Sequence, residues 1–89
     1  MHTTKALNPN TDVDMAADLG WAIRTIREQL SMTPEDLAAA AGVSVKVVIY
    51  WESGQRTISN KSLPRMAFAL RTTPSRIYVL AERHQRQAT

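Results

Sequence analysis

Residues 33–54 read TPEDLAAAAGVSVKVVIYWESG, and this stretch decides the fold. Its first half carries the signals of a short helix. Thr33 is suited to cap the helix N-terminus, Pro34 falls at the first helical position, and Asp36 completes a capping-box variant with Asp in place of Glu or Gln. Gly42 then permits the left-handed backbone that ends a helix. We therefore predict a helix that ends just before Gly42.

A second short helix follows after a tight turn. Ser44 is suited to cap it and Ser53-Gly54 to stop it, so we predict a helix over residues 45–52. The β-branched residues of this segment alone favour a strand, but the cap and the stop favour a helix. Two short helices joined by a tight turn with glycine form a helix-turn-helix. The small and apolar residues suited to hold this motif together are Leu37, Ala38, Ala41, Val43, Val48 and Trp51.

A helical pattern also precedes this motif. An apolar stripe at helical spacing predicts a first helix from Thr11 or Asp12 to about Leu30. Three aspartates, at positions 12, 14 and 18, crowd its first turns, where the helix dipole favours negative charge. The stripe consists of Leu19, Ile23, Ile26 and Leu30.

Two further helices follow the motif. One is predicted over residues 62–71 with Pro64 in its first turn, and the last begins at Thr73-Pro74. The fold class is therefore all-α, a compact bundle of five helices. We expect a flexible N-terminal arm over residues 1–10, one helix-turn-helix domain over residues 11–82, and a frayed polar C-terminal tail over residues 83–89.

Composition and charge narrow the function classes. The 89 residues include no cysteine, which excludes disulfides and thiolate metal sites. Neither a membrane span nor a signal peptide is indicated, so we expect a cytoplasmic protein without a membrane partner. The net charge is +3, with three basic and six acidic residues in 1–40 but eight basic and two acidic residues in 41–89. A basic half suggests a polyanionic partner such as nucleic acid, and an ordinary solvated surface is the alternative.

Nothing in the sequence indicates an enzyme. His2 and His84 stand near the chain ends, with no carboxylate or serine at catalytic spacing. The chain has three glycines, and they form no phosphate-binding loop. We expect no catalytic residue, no metal site and no cofactor.

Over about residues 19–80 the chain resembles the phage-repressor or Cro/XRE-type helix-turn-helix proteins, without a gap. The resemblance implies a lambda-repressor-like five-helix bundle and a transcriptional regulator, such as a repressor, that binds double-stranded DNA as a dimer. In size and in the 54–63 loop the chain is also similar to controller proteins of restriction–modification systems. The matching segments are Leu19-Gly20, Glu35-Asp36-Leu37-Ala38, Ala41-Gly42-Val43-Ser44, Trp51-Glu52-Ser53-Gly54, Arg56, Ser62-Leu63, Met66-Ala67, Ala69-Leu70 and the helix from Pro74 to Leu80.

In such proteins the third helix lies in the major groove and its N-terminal part faces the base edges. The resemblance implies base contacts by Val45, Lys46, Ile49 and Tyr50. The chain departs from the family's usual polar residues here, because only Lys46 and Tyr50 can form hydrogen bonds. Lys46 suits guanine O6 or N7, with phosphate or solvent as the alternative; Val45 and Ile49 suit a thymine methyl group, with protein contact as the alternative.

Contacts to the DNA backbone are implied at helix starts and in the loop after the third helix. The resemblance implies phosphate contacts by Thr33, Ser44, Arg56 and Thr57, and the charge of Lys61 adds it to this set. A second departure is Pro34, where the family often has a glutamine that contacts DNA.

The resemblance also implies a structural ion pair between Arg27 and Glu52. Together with the small core it implies a homodimer, which we expect to form through helix five at Ile77, Tyr78 and Leu80. Tyr78 and Leu80 have little of their own chain left to cover them. The alternative function is a protein-interaction module or antitoxin-type autorepressor, whose apolar third-helix face contacts a protein such as a toxin or a polymerase.

Overall fold

A computed structural model describes the backbone of residues 3–88 and the side chains of residues 15–87. Within this part of the chain all regular structure is helical, which confirms the all-α prediction. The five helices are α1 (Thr3–Gln29), α2 (Pro34–Ala41), α3 (Val45–Ser53), α4 (Ser62–Ala69) and α5 (Pro74–Ala88).

The first helix begins at Thr3, earlier than the start that the sequence predicted at residue 11 or 12. Residues 3–10 are therefore helical where a flexible arm was expected; residues 1 and 2 lie outside the described residues. Lys5, Ala6 and Leu7 favour the helix, whereas Pro9 has no amide hydrogen to donate and disfavours it.

The predicted local signals at the helix ends are confirmed. The Asp36 amide donates to the Thr33 hydroxyl at 3.0 Å, and the Thr33 amide donates to the Asp36 carboxylate at 3.0 Å, which completes the capping box. The Val47 amide donates to the Ser44 hydroxyl at 3.2 Å. Gly42 has a left-handed backbone with φ of 73°. These caps fix the two helices of the helix-turn-helix where the sequence placed them.

Helix α1 forms the support of the bundle, because both α3 and α5 pack against it, while α2 packs against α3 and α4. The predicted stripe of α1 faces the core, with Ile23 fully buried and Leu30 half-buried. Gly20 lies where α1 meets α3, and a Cβ atom there would collide with the Trp51 carbonyl oxygen. A side chain at position 20 would therefore push α3 away from its support. The core consists mainly of Leu19, Ala22, Ile23, Leu37, Ala38, Val48, Trp51, Leu63, Met66, Ala67, Leu70, Ile77 and Ala81.

Helix α5 continues to Ala88, so residues 83–88 are helical where a frayed tail was predicted. The His84 ring explains the difference. Its Nδ1 lies 2.7 Å from an Asp18 carboxylate oxygen, and the ring stacks on Trp21 with a centroid distance of 4.2 Å. Asp18 is buried, and this bond gives its carboxylate a partner. The contact ties the end of α5 to α1 and lets the helix continue.

Candidate nucleic-acid interface

Helix α3 presents one face to the core and the other to solvent. Val48 and Trp51 are buried and fix the rotation of the helix. Lys46 and Ile49 are exposed on the opposite face, and Tyr50 is half-buried beside them. Ser53 is also exposed there, although it was not among the predicted contacts. The outward face is therefore short and mixed, with a cation, an apolar side chain and two hydroxyl groups.

The four residues predicted to contact bases do not share one environment. Val45 is half-buried and packs against the core cluster, so part of its surface is used within the chain. Ile49 keeps 49% of its surface exposed. Lys46 and Ile49 are the most accessible of the four to a groove.

The N-terminus of α3 suits an anion. Ser44 is exposed and caps the helix, and the first turn of α3 contains no acidic residue. In a helix the first amide groups have no partner within the helix and the dipole is positive at this end. The amides of residues 45 and 46 therefore point towards the place where a phosphate contact by Ser44 is expected.

The N-terminus of α2 is different, because a carboxylate already occupies it. Asp36 accepts the Thr33 backbone amide, and hydrogen bonds from the Thr33 backbone and side chain lower the pKa of Asp36 below its ordinary value. The carboxylate is therefore ionised at neutral pH beside Thr33. Of the expected phosphate contacts, Thr33 thus has the least favourable electrostatic surroundings.

The loop after α3 folds back towards that helix. Gly54 has φ of 81°, and the amides of Gln55 and Arg56 both donate to the Tyr50 carbonyl, at 3.0 and 3.3 Å. The Arg56 guanidinium lies over the Tyr50 ring, 5.4 Å from its centroid. Ile58 is buried and anchors the loop.

The cationic and hydroxyl side chains of this loop are accessible to solvent. Arg56, Thr57 and Lys61 are exposed, as phosphate contacts require. The structure therefore brings Tyr50 and Arg56 together and leaves Thr57 and Lys61 on the surface.

The ion pair expected between Arg27 and Glu52 is present in a forked geometry. Arg27 Nε and Nη2 donate to the two Glu52 carboxylate oxygens at 2.7 and 3.0 Å, and Nη1 donates to the Met32 carbonyl at 2.8 Å. Both side chains are only 9% exposed. The hydrogen bond to Glu52 raises the pKa of Arg27, against the opposing effect of burial, so the guanidinium stays charged. It joins α1, the turn before α2, and the end of α3.

The expected dimer surface needs one correction. Ile77 is fully buried in the chain's own core and has no surface for a partner, because its position on α5 points towards α1 and α4. Tyr78 is 37% exposed and Leu80 is half-buried. Between them Val79 is 45% exposed and faces outwards, and on α4 Phe68 is 83% exposed. Neither Val79 nor Phe68 was predicted as a surface residue.

Two further features of the described residues bear on function. They hold no group of three or more histidine, cysteine, aspartate or glutamate side chains placed to bind a metal ion. None of their helices is long and apolar enough to cross a membrane.

A family model described as helix-turn-helix matches residues 23–77. This match spans more than half of the chain and includes α2, α3, α4 and the loop that carries Arg56. The chain belongs to the helix-turn-helix family. In DNA-binding helix-turn-helix proteins the second helix of the motif is the recognition helix, and α3 holds the second position of the motif in this chain. The resemblance to Cro/XRE-type proteins is thereby confirmed, and we assign the chain to the DNA-binding transcriptional regulators.

Solved structures show the same fold. The clp gene regulator ClgR from C. glutamicum is 26% identical, with a TM-score of 0.76 over 79% of this chain and 91% of that chain. The restriction-modification controller protein C.AhdI from Aeromonas hydrophila is 27% identical, with a TM-score of 0.68 over 70% of this chain and 94% of that chain. A point mutant of the controller protein C.Esp1396I is 21% identical, with a TM-score of 0.73 over 79% of this chain and 89% of that chain. At this identity the likeness shows the fold alone. No curated protein matches the chain.

Proposed function

We propose that this helix-turn-helix protein regulates transcription by binding a two-fold-symmetric operator as a homodimer, with α3 in the major groove. The observation that carries the proposal is the outward face of α3, where Lys46 and Ile49 are accessible beside an N-terminus free of acidic residues. Both ClgR and C.AhdI are named as regulators or controllers, which supports the same activity for this chain.

The proposed contacts with DNA are of two kinds, to phosphates and to bases. Ser44 at the start of α3 and Arg56, Thr57 and Lys61 in the loop after it supply phosphate contacts, which provide affinity and fix the register of the protein on DNA. Lys46 supplies the hydrogen bonds that distinguish bases, and Ile49 an apolar contact with a thymine methyl group. Val45 is half-buried, so only the exposed part of its side chain can contact a base. Thr33 contributes least, because the Asp36 carboxylate lies beside it.

The experiment is selection from random duplex DNA at about 150 mM salt, where non-specific binding is weak. The expected result is one enriched palindrome with half-sites roughly 34–36 Å apart. If no sequence is enriched while the protein captures a protein partner at high salt, the operator-binding proposal is wrong. The exposed Ile49 face would then belong to the alternative function, a protein-interaction module or antitoxin.

Three variants separate the roles on the selected site. Arg56→Ala should weaken binding to every sequence by about tenfold and lower the salt slope by about 1. Lys46→Ala should cost about 1–3 kcal/mol on the best site and change which sequences bind. Arg24→Ala removes the same charge from the exposed face of α1, where Arg24 pairs with Glu28 away from every expected contact, and should change neither property. Unchanged affinity in Arg56→Ala, or unchanged preference in Lys46→Ala, contradicts the corresponding role.

A further inference from the structure

The carbonyl of Tyr50 ties the loop after α3 back to the helix, as is usual where a helix ends at a left-handed glycine. Its carbonyl accepts the Gln55 amide at 3.0 Å, the Arg56 amide at 3.3 Å and the Ser53 hydroxyl at 3.2 Å. The backbone of Arg56 is therefore tied to the residue whose ring its side chain covers. The guanidinium carbon lies 5.4 Å from the ring centroid.

The glycine between them makes this return of the chain possible. Gly54 has φ of 81°, which side-chain-bearing residues rarely adopt, and a Cβ atom there would lie 2.9 Å from the Cα of Ala17 on α1. The loop is thus held against α1 on one side and against Tyr50 on the other. Its direction after α3 is fixed before any DNA is present.

The charge of Arg56 has no carboxylate partner that would hold it elsewhere. No ion pair between the described side chains, residues 15–87, involves Arg56. A guanidinium stacked on an aromatic ring keeps the hydrogen-bond donors at its edge free. The Tyr50 ring therefore orients Arg56 without using the donors that a phosphate needs.

We propose that Tyr50 is a positioning residue: its ring holds Arg56 in place for a phosphate beside α3, and its hydroxyl reads no base. This role rests on the proposed function. It reassigns Tyr50 from the expected set of base contacts, because one side of its ring is covered by Arg56. A side chain held in its bound orientation loses less conformational freedom when DNA arrives, and this strengthens binding to all sequences alike.

Two substitutions of Tyr50 distinguish the ring from the hydroxyl. Tyr50→Phe keeps the ring and should bind DNA with wild-type affinity and sequence preference. Tyr50→Leu removes the ring and should weaken binding about two- to fivefold on every sequence, the range expected for an exposed cation–π contact. If Tyr50→Phe binds as weakly as Tyr50→Leu, or changes the selected sequence, the hydroxyl reads bases and the proposal is wrong.

A double-mutant cycle tests whether the ring acts through Arg56. In an Arg56→Ala background, Tyr50→Leu should have no further effect on affinity, whereas with Lys61→Ala the two effects should multiply. Lys61 is the matched control, an exposed cation in the same loop and also an expected phosphate contact. Multiplying effects with Arg56→Ala would overturn the proposal. Thermal unfolding checks that every variant is folded.

A measurement without DNA separates this proposal from the proposed function. In proton NMR the Arg56 side-chain resonances should be shifted upfield by the Tyr50 ring current in the wild type and in Tyr50→Phe, and not in Tyr50→Leu. Equal Arg56 shifts in all three proteins would overturn the contact even when the wild type binds its operator. A wild-type shift without binding to any duplex would retain the contact but contradict both the proposed function and the positioning role.

Discussion

At the scale of single residues, the polar groups that matter most are the few that are buried or placed at a helix end. Arg27 and Glu52 form a nearly buried fork, whereas Arg24 and Glu28 form an exposed pair at 3.2 Å with side chains 60% and 57% exposed. Water screens the exposed pair, but a lone member of the buried pair keeps its desolvation cost without its partner. The two pairs therefore allow a buried ion pair to be compared with an exposed one.

We expect Glu52→Gln to destabilise the fold by about 3 kcal/mol, because it leaves the buried Arg27 guanidinium with only neutral acceptors. Arg24→Gln, the control, should change stability by at most about 0.5 kcal/mol. Urea unfolding followed by tryptophan fluorescence measures both. Equal small effects would show that the Arg27–Glu52 fork does not hold α3 on α1.

Asp36 is the acidic residue whose removal should improve DNA binding. Its carboxylate lies at the N-terminus of α2, beside the expected phosphate contact of Thr33. Asp36→Asn removes this negative charge, so affinity for the operator should rise about two- to fivefold at low salt and less at high salt. A titration at two salt concentrations measures this, and unchanged affinity would place α2 away from the DNA backbone.

The same substitution has a pH signature. Because hydrogen bonds from Thr33 lower the pKa of Asp36, its stabilising contribution is present above its ordinary pKa of 3.8 and is lost as the pH falls through the lower folded-state value. Between about pH 5 and pH 2, the urea midpoint of the wild type should therefore fall further than that of Asp36→Asn. Parallel decreases in the two proteins would contradict the assigned capping role.

At the scale of helices and turns, the two left-handed glycines differ in what surrounds them. Gly42 ends α2 with φ of 73°, and a Cβ atom there would have no neighbouring atom within 4 Å, whereas Gly54 ends α3 with φ of 81° and faces Ala17. Gly42→Ala should therefore cost about 1–2 kcal/mol, the penalty of the left-handed conformation alone. Gly54→Ala should cost at least about 1 kcal/mol more, because α1 must move.

Urea unfolding of the two alanine variants checks this order. The Gly54 variant should also bind DNA more weakly at matched folded fraction, because the loop that carries Arg56 shifts, while the Gly42 variant should not. Equal destabilisation of the two variants would mean that the loop moves freely away from α1. In that case Gly54 would serve the backbone conformation alone.

The elements that the sequence predicted well are those fixed by neighbours in the chain. Thr33, Ser44 and Gly42 act within three or four residues, so their caps follow from local chemistry. The Trp21–His84 stack joins residues 63 positions apart in the chain, and no local sequence pattern predicts such a contact. Arg71 likewise has a left-handed φ of 58° just after α4, which ends at Ala69 and not at residue 71 as predicted. No glycine stands there to signal that turn.

The site could be predicted only in part, for the same reason. The resemblance to a known family indicated Arg56 as an expected phosphate contact and predicted the ion pair between Arg27 and Glu52. Both predictions depend on a shared fold. The contact between Arg56 and Tyr50 depends on how the chain returns after Gly54, which no spacing rule specifies. The exposed position of Phe68 was not predicted, and its role depends on a partner that the sequence does not specify.

At the scale of the whole molecule, α1 connects α3, the helix proposed to face DNA, to α5, the helix expected to face a second copy. Arg27 ties α1 to α3, and Asp18 and Trp21 tie α1 to α5. These contacts make α3 and α5 parts of one rigid unit. If two copies pair through α5, the distance between their two recognition helices is set by the fold and not by a flexible connection, as a fixed half-site spacing requires.

Dimerisation through α5 is therefore tested best at its outermost apolar residue. Val79 is 45% exposed between Tyr78 and Leu80, so Val79→Lys should leave the core intact and place a charge in the interface. The wild type should sediment at twice the chain mass of 9.9 kDa, and the variant as a monomer that binds a full operator no better than a half-site. Phe68→Lys is the control, since it removes the most exposed of the large apolar side chains, from α4. If Phe68→Lys dissociates the dimer and Val79→Lys does not, the two copies meet through α4 and the assignment of the interface to α5 is wrong.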